Sequence, residues 1–274
     1  KTLTLLAPEE RITSTIRGQA HEMSNSFSFA HTPPWVAREV YEMIARETGL
    51  EDPLAVVKQK SIELATSLLP DVYLAIEKSS DPLFSAIKAS AAGNVIDFGA
   101  KEQFDLEEEI AKVFDTPFAV DEYEAFQKKL QSSDSLLMLA DNAGENVFDK
   151  VLLETIKRLY PTKSLYYATR GKAIINDITT KEAYQIGIDE VATILDTGVD
   201  TPGLEAERAS DAFWEMYQSA PLVLAKGMGN YECLENGQRD LFFLFKVKCN
   251  VVANSIKQEV GSLIFSHKEH TFLG

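Results

Sequence analysis

The sequence predicts an α/β fold: a mostly parallel, Rossmann-like sheet flanked by helices, preceded by an all-helical segment. Three observations carry this. From Gly93 onward, short apolar runs alternate with amphipathic stretches, the pattern of parallel strands joined by crossover helices. Almost every apolar run stops at polar or glycine-rich sequence: Asp141-Asn142, Thr169-Arg170-Gly171, Asp196-Thr197-Gly198 and Lys226-Gly227-Met228-Gly229-Asn230. Before Gly93 the chain instead shows repeated helix starts and no such alternation.

Taken in order, Thr32-Pro33, Asp52-Pro53 and Asp81-Pro82 each place a capping side chain before a proline suited to a first helical turn. After Thr32, the residues Trp35, Val36, Val40, Met43 and Ile44 form one apolar face, and Gly49 is a natural stop. The segment from Asp52 through Leu69 repeats the pattern. Residues 1–92 are therefore expected to form a helical domain or lid, with their aromatic and methionine side chains in its core. Residues 93–274 are expected to form the α/β domain. Its predicted strands span 94–98, 136–140, 164–168, 190–195, 222–225 and 241–245. In a parallel sheet their carboxyl ends share one edge, so the loops that follow should converge there.

The junction after the second of these strands is the most informative. Leu136-Leu137-Met138-Leu139 runs into Ala140-Asp141-Asn142-Ala143-Gly144-Glu145, and Val147, Phe148, Val151, Leu152, Ile156 and Leu159 then recur at helical spacing until Pro161. The unit reads strand, polar loop, helix. Ligands of open α/β sheets collect beyond strand ends, and a helix N-terminus there favours an anion such as phosphate. Taken alone, the segment also allows a plainer role, with Asp141 or Asn142 merely capping the helix.

Composition narrows the classes. A chain of 274 residues with 45% hydrophobic content can bury a large core. Its formal net charge of −15 opposes nucleic acid and anionic membrane surfaces as partners. No apolar run reaches the roughly 18 residues of a membrane-spanning helix, and no basic-then-apolar leader is visible, so a soluble cytoplasmic protein is expected. Cys233 and Cys249 are too few for a disulfide framework and fit a reducing compartment. His21, His31, His267 and His270 lie outside the strand-end loops and form no HExxH pattern, which disfavours histidine-ligated zinc and a serine–histidine triad. Neither GxGxxG nor GxxxxGK[ST] is present, which disfavours dinucleotide oxidoreductases and P-loop enzymes.

Together the strand-end loops hold what phosphoryl chemistry needs. Asp141, the Asn142 side-chain carbonyl and Asp177 are hard oxygen ligands for a divalent cation. Arg170 and Lys226 are candidates to clamp phosphate, and Gly171, Gly227 and Gly229 allow backbone amides to approach an anion. Each residue alone has an ordinary reading as a turn, cap or surface residue. The set indicates a metal- and phosphate-binding catalytic domain. Metal-activated water and an aspartyl nucleophile both require an aspartate at this junction. A non-catalytic sensor of phosphorylated metabolites would use the same crevice, and a methyltransferase fits the architecture but not the loop after the first strand.

Five ordered segments carry a resemblance to a known family. They are Gly93-Asn94-Val95-Ile96-Asp97-Phe98-Gly99, Asp141-Asn142-Ala143-Gly144-Glu145, Arg170-Gly171 with Ile175-Asn176-Asp177-Ile178-Thr179, Lys226-Gly227-Met228-Gly229-Asn230-Tyr231-Glu232, and Val247-Lys248-Cys249-Asn250-Val251-Val252-Ala253. In these the chain resembles the damage-control phosphatases, first catalogued as domain of unknown function eighty-nine, and most closely their stand-alone microbial branch, subfamily I. The resemblance implies a phosphatase of small phosphorylated metabolites, sugar phosphates or damaged phospho-compounds, dependent on manganese, cobalt, nickel or magnesium. It places the metal on Asp141, Asn142 and Asp177. It places phosphate or substrate among Lys226, Gly227, Gly229, Asn230 and Lys248, with Arg170 and Glu145 nearby. Asn94 and Asp97 fall in a family segment without an assigned role. Members of this branch usually carry a Cys-x-x-Cys pair near the N-terminus; either such a segment precedes Lys1 or this member lacks it.

Overall fold

The computed structural model describes residues 2–6, 8–28, 31–92, 112 and 114–269. The predicted strand at 94–98, with Asn94 and Asp97, lies outside the described residues. Six helices come first: α1 (Thr2–Leu6), α2 (Glu10–Ser24), α3 (Pro33–Thr48), α4 (Ala55–Ser67), α5 (Leu69–Lys78) and α6 (Pro82–Ala92). The Thr32 hydroxyl accepts a hydrogen bond from the Trp35 amide, Pro33 opens α3, and Gly49 closes it at φ +68°, as the punctuation requires. Ile16 of α2 packs on Met43 and Ile44 of α3 in a small core of their own.

The remaining described chain forms a seven-stranded sheet in the order β1-β7-β6-β5-β2-β3-β4. The strands are β1 (Phe118–Asp121), β2 (Ser135–Leu139), β3 (Ser164–Thr169), β4 (Thr193–Asp196), β5 (Val223–Lys226), β6 (Leu241–Lys246) and β7 (Leu263–Lys268). Helices α7 (Tyr123–Ser132), α8 (Glu145–Leu159), α9 (Thr180–Gln185), α10 (Asp211–Ser219), α11 (Gly227–Leu234) and α12 (Asn250–Ile256) connect them. All pairings are parallel except β6 with β7.

Both faces of the sheet are covered, and the strands show it by burying alternate residues in two different cores. Leu136 and Met138 of β2, and Phe242 and Leu244 of β6, enter one core with Ile62, Val72, Leu83, Ile87, Phe148 and Leu152 from α4, α5, α6 and α8. Leu137, Leu139, Phe243 and Phe245 enter the other with Phe213, Tyr217 and Tyr231. Helices α4–α6 thus share a core with the sheet. Continuous apolar strands are what two-sided burial demands.

Two strands escape the sequence pattern. β1 has four residues and ends in Asp121, and β7 ends in Ser266-His267-Lys268, so neither offers a run long enough to establish a period. The fourth predicted strand begins later than 190, because a 3₁₀ turn at Ile188–Glu190 precedes β4.

Candidate active site

Strand order places the site. From β2 the chain moves outward through β3 to β4, whereas β5 returns to the other side of β2 and the chain continues to β6. The carboxyl ends of β2 and β5 therefore flank the point where connections diverge, the usual ligand crevice of an open α/β sheet. Asp141 leaves β2 at this point and Gly227 leaves β5. The two touch closely: a Cβ on Gly227, whose φ is +81°, would lie 2.1 Å from Asp141 Oδ2. Glycine is required on both steric and conformational grounds.

The loop after β3 folds back over this edge. The Ile178 amide donates to the Asp141 carbonyl at 3.0 Å, the Ala143 amide to the Asn176 carbonyl at 2.8 Å, and Asn142 pairs with Asp177 in an isolated bridge. Asp177, 36 positions from Asp141 in the numbering, is so brought beside it. Ile175 in this loop has φ +47°, an uncommon conformation for a β-branched residue. Gly144 occupies the N-cap of α8 and no side chain caps that helix, so neither Asp141 nor Asn142 is its cap.

The charged groups are deeply buried. Arg170 Nε donates to Asp177 Oδ2 at 2.8 Å, and its Nη2 lies 3.9 Å from Asp141 Oδ1. That Nη2 has no hydrogen-bond partner among the described residues. The Asn142 amide nitrogen donates to Asp141 Oδ2 at 2.7 Å and to Glu145 Oε1 at 3.0 Å. Burial, followed by the charge of Asp177, pushes the Asp141 carboxyl up to about 7 despite Lys248, Arg170 and Lys226. Burial and then Asp141 push Glu145 up to about 7 as well. Burial likewise raises Asp177, with Arg170 opposing it.

Other predicted residues have different surroundings. Lys226 is fully buried: its Nζ donates to Asp149 Oδ1 and to the Ser90 carbonyl, each at 2.7 Å, and lies 3.7 Å from Glu145 Oε2. Asn230 is committed to the backbone. Its amide nitrogen donates to the Ala140 and Lys226 carbonyls at 3.1 and 2.7 Å, while its oxygen accepts from the Leu204 amide at 3.0 Å. Gly229 faces the Pro202 carbonyl, 1.7 Å from where a Cβ would stand, and Gly171 packs on Gly198. Lys248 is exposed just past the end of β6, and its charge acts on Asp141, Glu145 and Asp177 together.

Sequence reasoning passed over several residues that belong here. Asp149 and the Ser90 carbonyl hold Lys226, Tyr167 and the Ser90 hydroxyl hold Asp149, and Lys58 of α4, buried and paired with Asp52 at 2.8 Å, brings a positive charge to bear on Asp177. Glu232, half buried on α11, is pushed up to about 7 by burial, then Glu235 and Asp141. Asp149 does have a sequence signal: it lies four positions after Glu145 and thus on the same helix face.

The sequence profile of the damage-control phosphatase ARMT1-like domain matches residues 1–264. The chain belongs to this family. Among its relatives, a damage-control phosphatase of Archaeoglobus fulgidus is 33% identical over 241 residues, covering 86% of this chain and 81% of that protein. A second, from Pyrococcus horikoshii, is 30% identical over 228 residues, covering 82% and 77%. The crystal structure of a DUF89 family protein from Pyrococcus horikoshii superposes with a TM-score of 0.87 at 26% identity, covering 97% of this chain and 94% of that one.

The donor set fits a hard divalent cation, as the family resemblance implies. Asp141 and Asp177 are buried carboxylates that repel one another, and Asn142 beside them has an amide oxygen to offer. Among the described residues no group of three Asp, Glu, His or Cys side chains is arranged to hold a metal ion. The oxygen donors this corner of the site offers are the carboxylates of Asp141 and Asp177 and the amide oxygen of Asn142.

Proposed function

We propose that the protein is a metal-dependent phosphatase of small phosphorylated metabolites, working at the crevice between β2 and β5. The observation that carries this reading is the pair Asp141 and Asp177, buried side by side, with the Asp141 carboxyl pushed up to about 7 partly by its neighbour. Such a pair is costly to bury, and Arg170, which hydrogen-bonds Asp177 but stays 3.9 Å from Asp141, offsets that cost only in part, so a further cation between the two carboxylates would be stabilising. Asp141, Asn142 and Asp177 would hold that ion. A bound divalent cation supplies charge for the phosphoryl oxygens and orientation for the attacking group.

The chain's own groups supply the rest. Arg170, held at Asp177 through Nε, has Nη2 available for a phosphate oxygen. Lys248 contributes a further cation from the exposed loop after β6. Lys226 lies lower, neutralising Asp149 and Glu145 rather than reaching solvent. Sugar phosphates and damaged phospho-metabolites are the substrate class of this proposal, and two archaeal relatives bear the name damage-control phosphatase. We also assign residues 1–92 to closing one side of the pocket. The Thr32 hydroxyl meets Glu205 and Arg38 Nε meets Asp200 Oδ2 at 3.0 Å, linking α3 to the loop after β4. No described helix is long and apolar enough to cross a membrane, and the free cysteines Cys233 and Cys249 support a cytoplasmic setting.

The test is phosphate release from a panel of sugar phosphates and an aryl phosphate, using chelated protein resupplied with one metal at a time. Turnover restored by manganese, cobalt, nickel or magnesium, and removed by Asp141→Ala or Asp177→Ala in folded protein, is the expected result. Tight binding of intact phosphomonoester without turnover at full metal occupancy would replace the phosphatase with a sensor.

A further inference from the structure

We propose that Asp149 is the positioning residue for Lys226, fixing its buried ammonium beside Glu145; the inference rests on the phosphatase reading above. Asp149 is fully buried on α8, one turn beyond Glu145, and so shares its face. Its two oxygens accept from three side chains drawn from three elements. Lys226 Nζ at 2.7 Å and Ser90 Oγ at 2.6 Å reach Oδ1, and Tyr167 Oη at 2.8 Å reaches Oδ2.

An ammonium has three N–H donors. Asp149 Oδ1 and the Ser90 carbonyl take two of them, each at 2.7 Å, and Glu145 Oε2 stands next at 3.7 Å. Two short bonds fix the nitrogen, and Glu145 stands at ion-pair distance from it. Glu145 in turn accepts from Asn142 at 3.0 Å, and Asn142 also donates to Asp141. Asp149 is thus linked to the proposed metal-holding residues through hydrogen bonds at Lys226 and Asn142 and an ion pair between Lys226 and Glu145. Burial works against the Lys226 ammonium, but the charges of Asp149 and Glu145 outweigh it and keep the cation.

The simpler role, a buried ion pair that only ties α8 to β5, makes a different prediction. An Asn at 149 preserves shape and an oxygen acceptor for Ser90 and Lys226, but removes the charge that anchors the ammonium. If Asp149 acts through Lys226, Asp149→Asn lowers kcat at least tenfold with KM changed less than threefold. Lys226→Met then adds no further loss in the double variant. A second readout needs no turnover. In protein labelled with 15N-lysine, the slowly exchanging buried ammonium signal, assigned by its loss in Lys226→Met, shifts or broadens in Asp149→Asn. Should that variant not fold, Ser90→Ala, which removes one of the donors holding Asp149, produces a smaller shift of the same signal.

An unchanged Lys226 signal, or kcat losses that simply multiply in the double variant, would overturn the proposal. Wild-type protein that releases no phosphate with any metal would refute the phosphatase reading instead, and the ammonium signal would still decide the positioning role.

Discussion

Gly227→Ala tests whether the turn out of β5 sets the position of Asp141. The backbone there has φ +81°, where an L side chain costs roughly 1–2 kcal/mol. The new methyl carbon would stand 2.1 Å from Asp141 Oδ2, against 3.4 Å or more in ordinary contact, so something must move by about 1 Å. Asp141 is 6% exposed and held at Oδ2 by Asn142, and overpacking of this kind costs roughly 1–3 kcal/mol. The sum, roughly 2–5 kcal/mol, corresponds to a fall in melting temperature on the order of 4–20 °C for a chain of this size. A reactive group misplaced by about 1 Å loses about a hundredfold in rate. Differential scanning calorimetry and metal-dependent phosphate release measure the two effects independently. An alanine variant melting within about 2 °C of wild type and turning over within twofold would refute the argument that this contact locates Asp141.

Three further predictions concern the frame around the site. Asp200 is lowered to about 2: burial alone would raise it, but hydrogen bonds from Arg208 and Arg38 prevail. Its folded pKa lies below the unfolded value, so its stabilisation is fully present above about pH 4 and is lost as pH falls toward 2. After allowance for solvent screening around the arginines, this amounts to about 1–2 kcal/mol. Urea unfolding at pH 6 and pH 3 should show Asp200→Asn less stable than wild type at pH 6, with the gap narrowing at pH 3; a gap independent of pH would contradict this account. Gly18 lies inside α2 with nothing within 4 Å of where a Cβ would stand, so Gly18→Ala should stabilise by roughly 0.5–1 kcal/mol in the same titration. The Ser210 hydroxyl accepts from the Phe213 amide at 3.3 Å at the start of α10, and Ser210→Ala should cost about 1 kcal/mol, read as a lower urea midpoint with unchanged slope.

Much of the architecture was legible because local pattern and burial agree. Leu136-Leu137-Met138-Leu139 is apolar throughout because both of its faces are covered, and the polar residues that follow mark where the strand ends. Thr32, Pro33 and Gly49 bound α3 as their backbone preferences require. β1 and β7 were not legible, since four residues at one place and a polar second half at the other leave no period to detect. The antiparallel turn of β7 onto β6 depends on partner strands, which local propensity does not name.

At the site, the same division holds. That an acid, an amide and a glycine-led helix follow β2, and that cations and glycines follow β3 and β5, is readable from the chain alone, because strand ends and helix starts are written within a few residues. Which partners each residue meets there is decided by the assembled fold. It commits Asn230 to backbone carbonyls and draws Lys226 below the crevice onto Asp149, 77 residues away. The physical reason is that hydrogen-bond partners of buried charges are chosen by strand order and by the need to satisfy every polar group removed from water, and neither is encoded in any short stretch of residues.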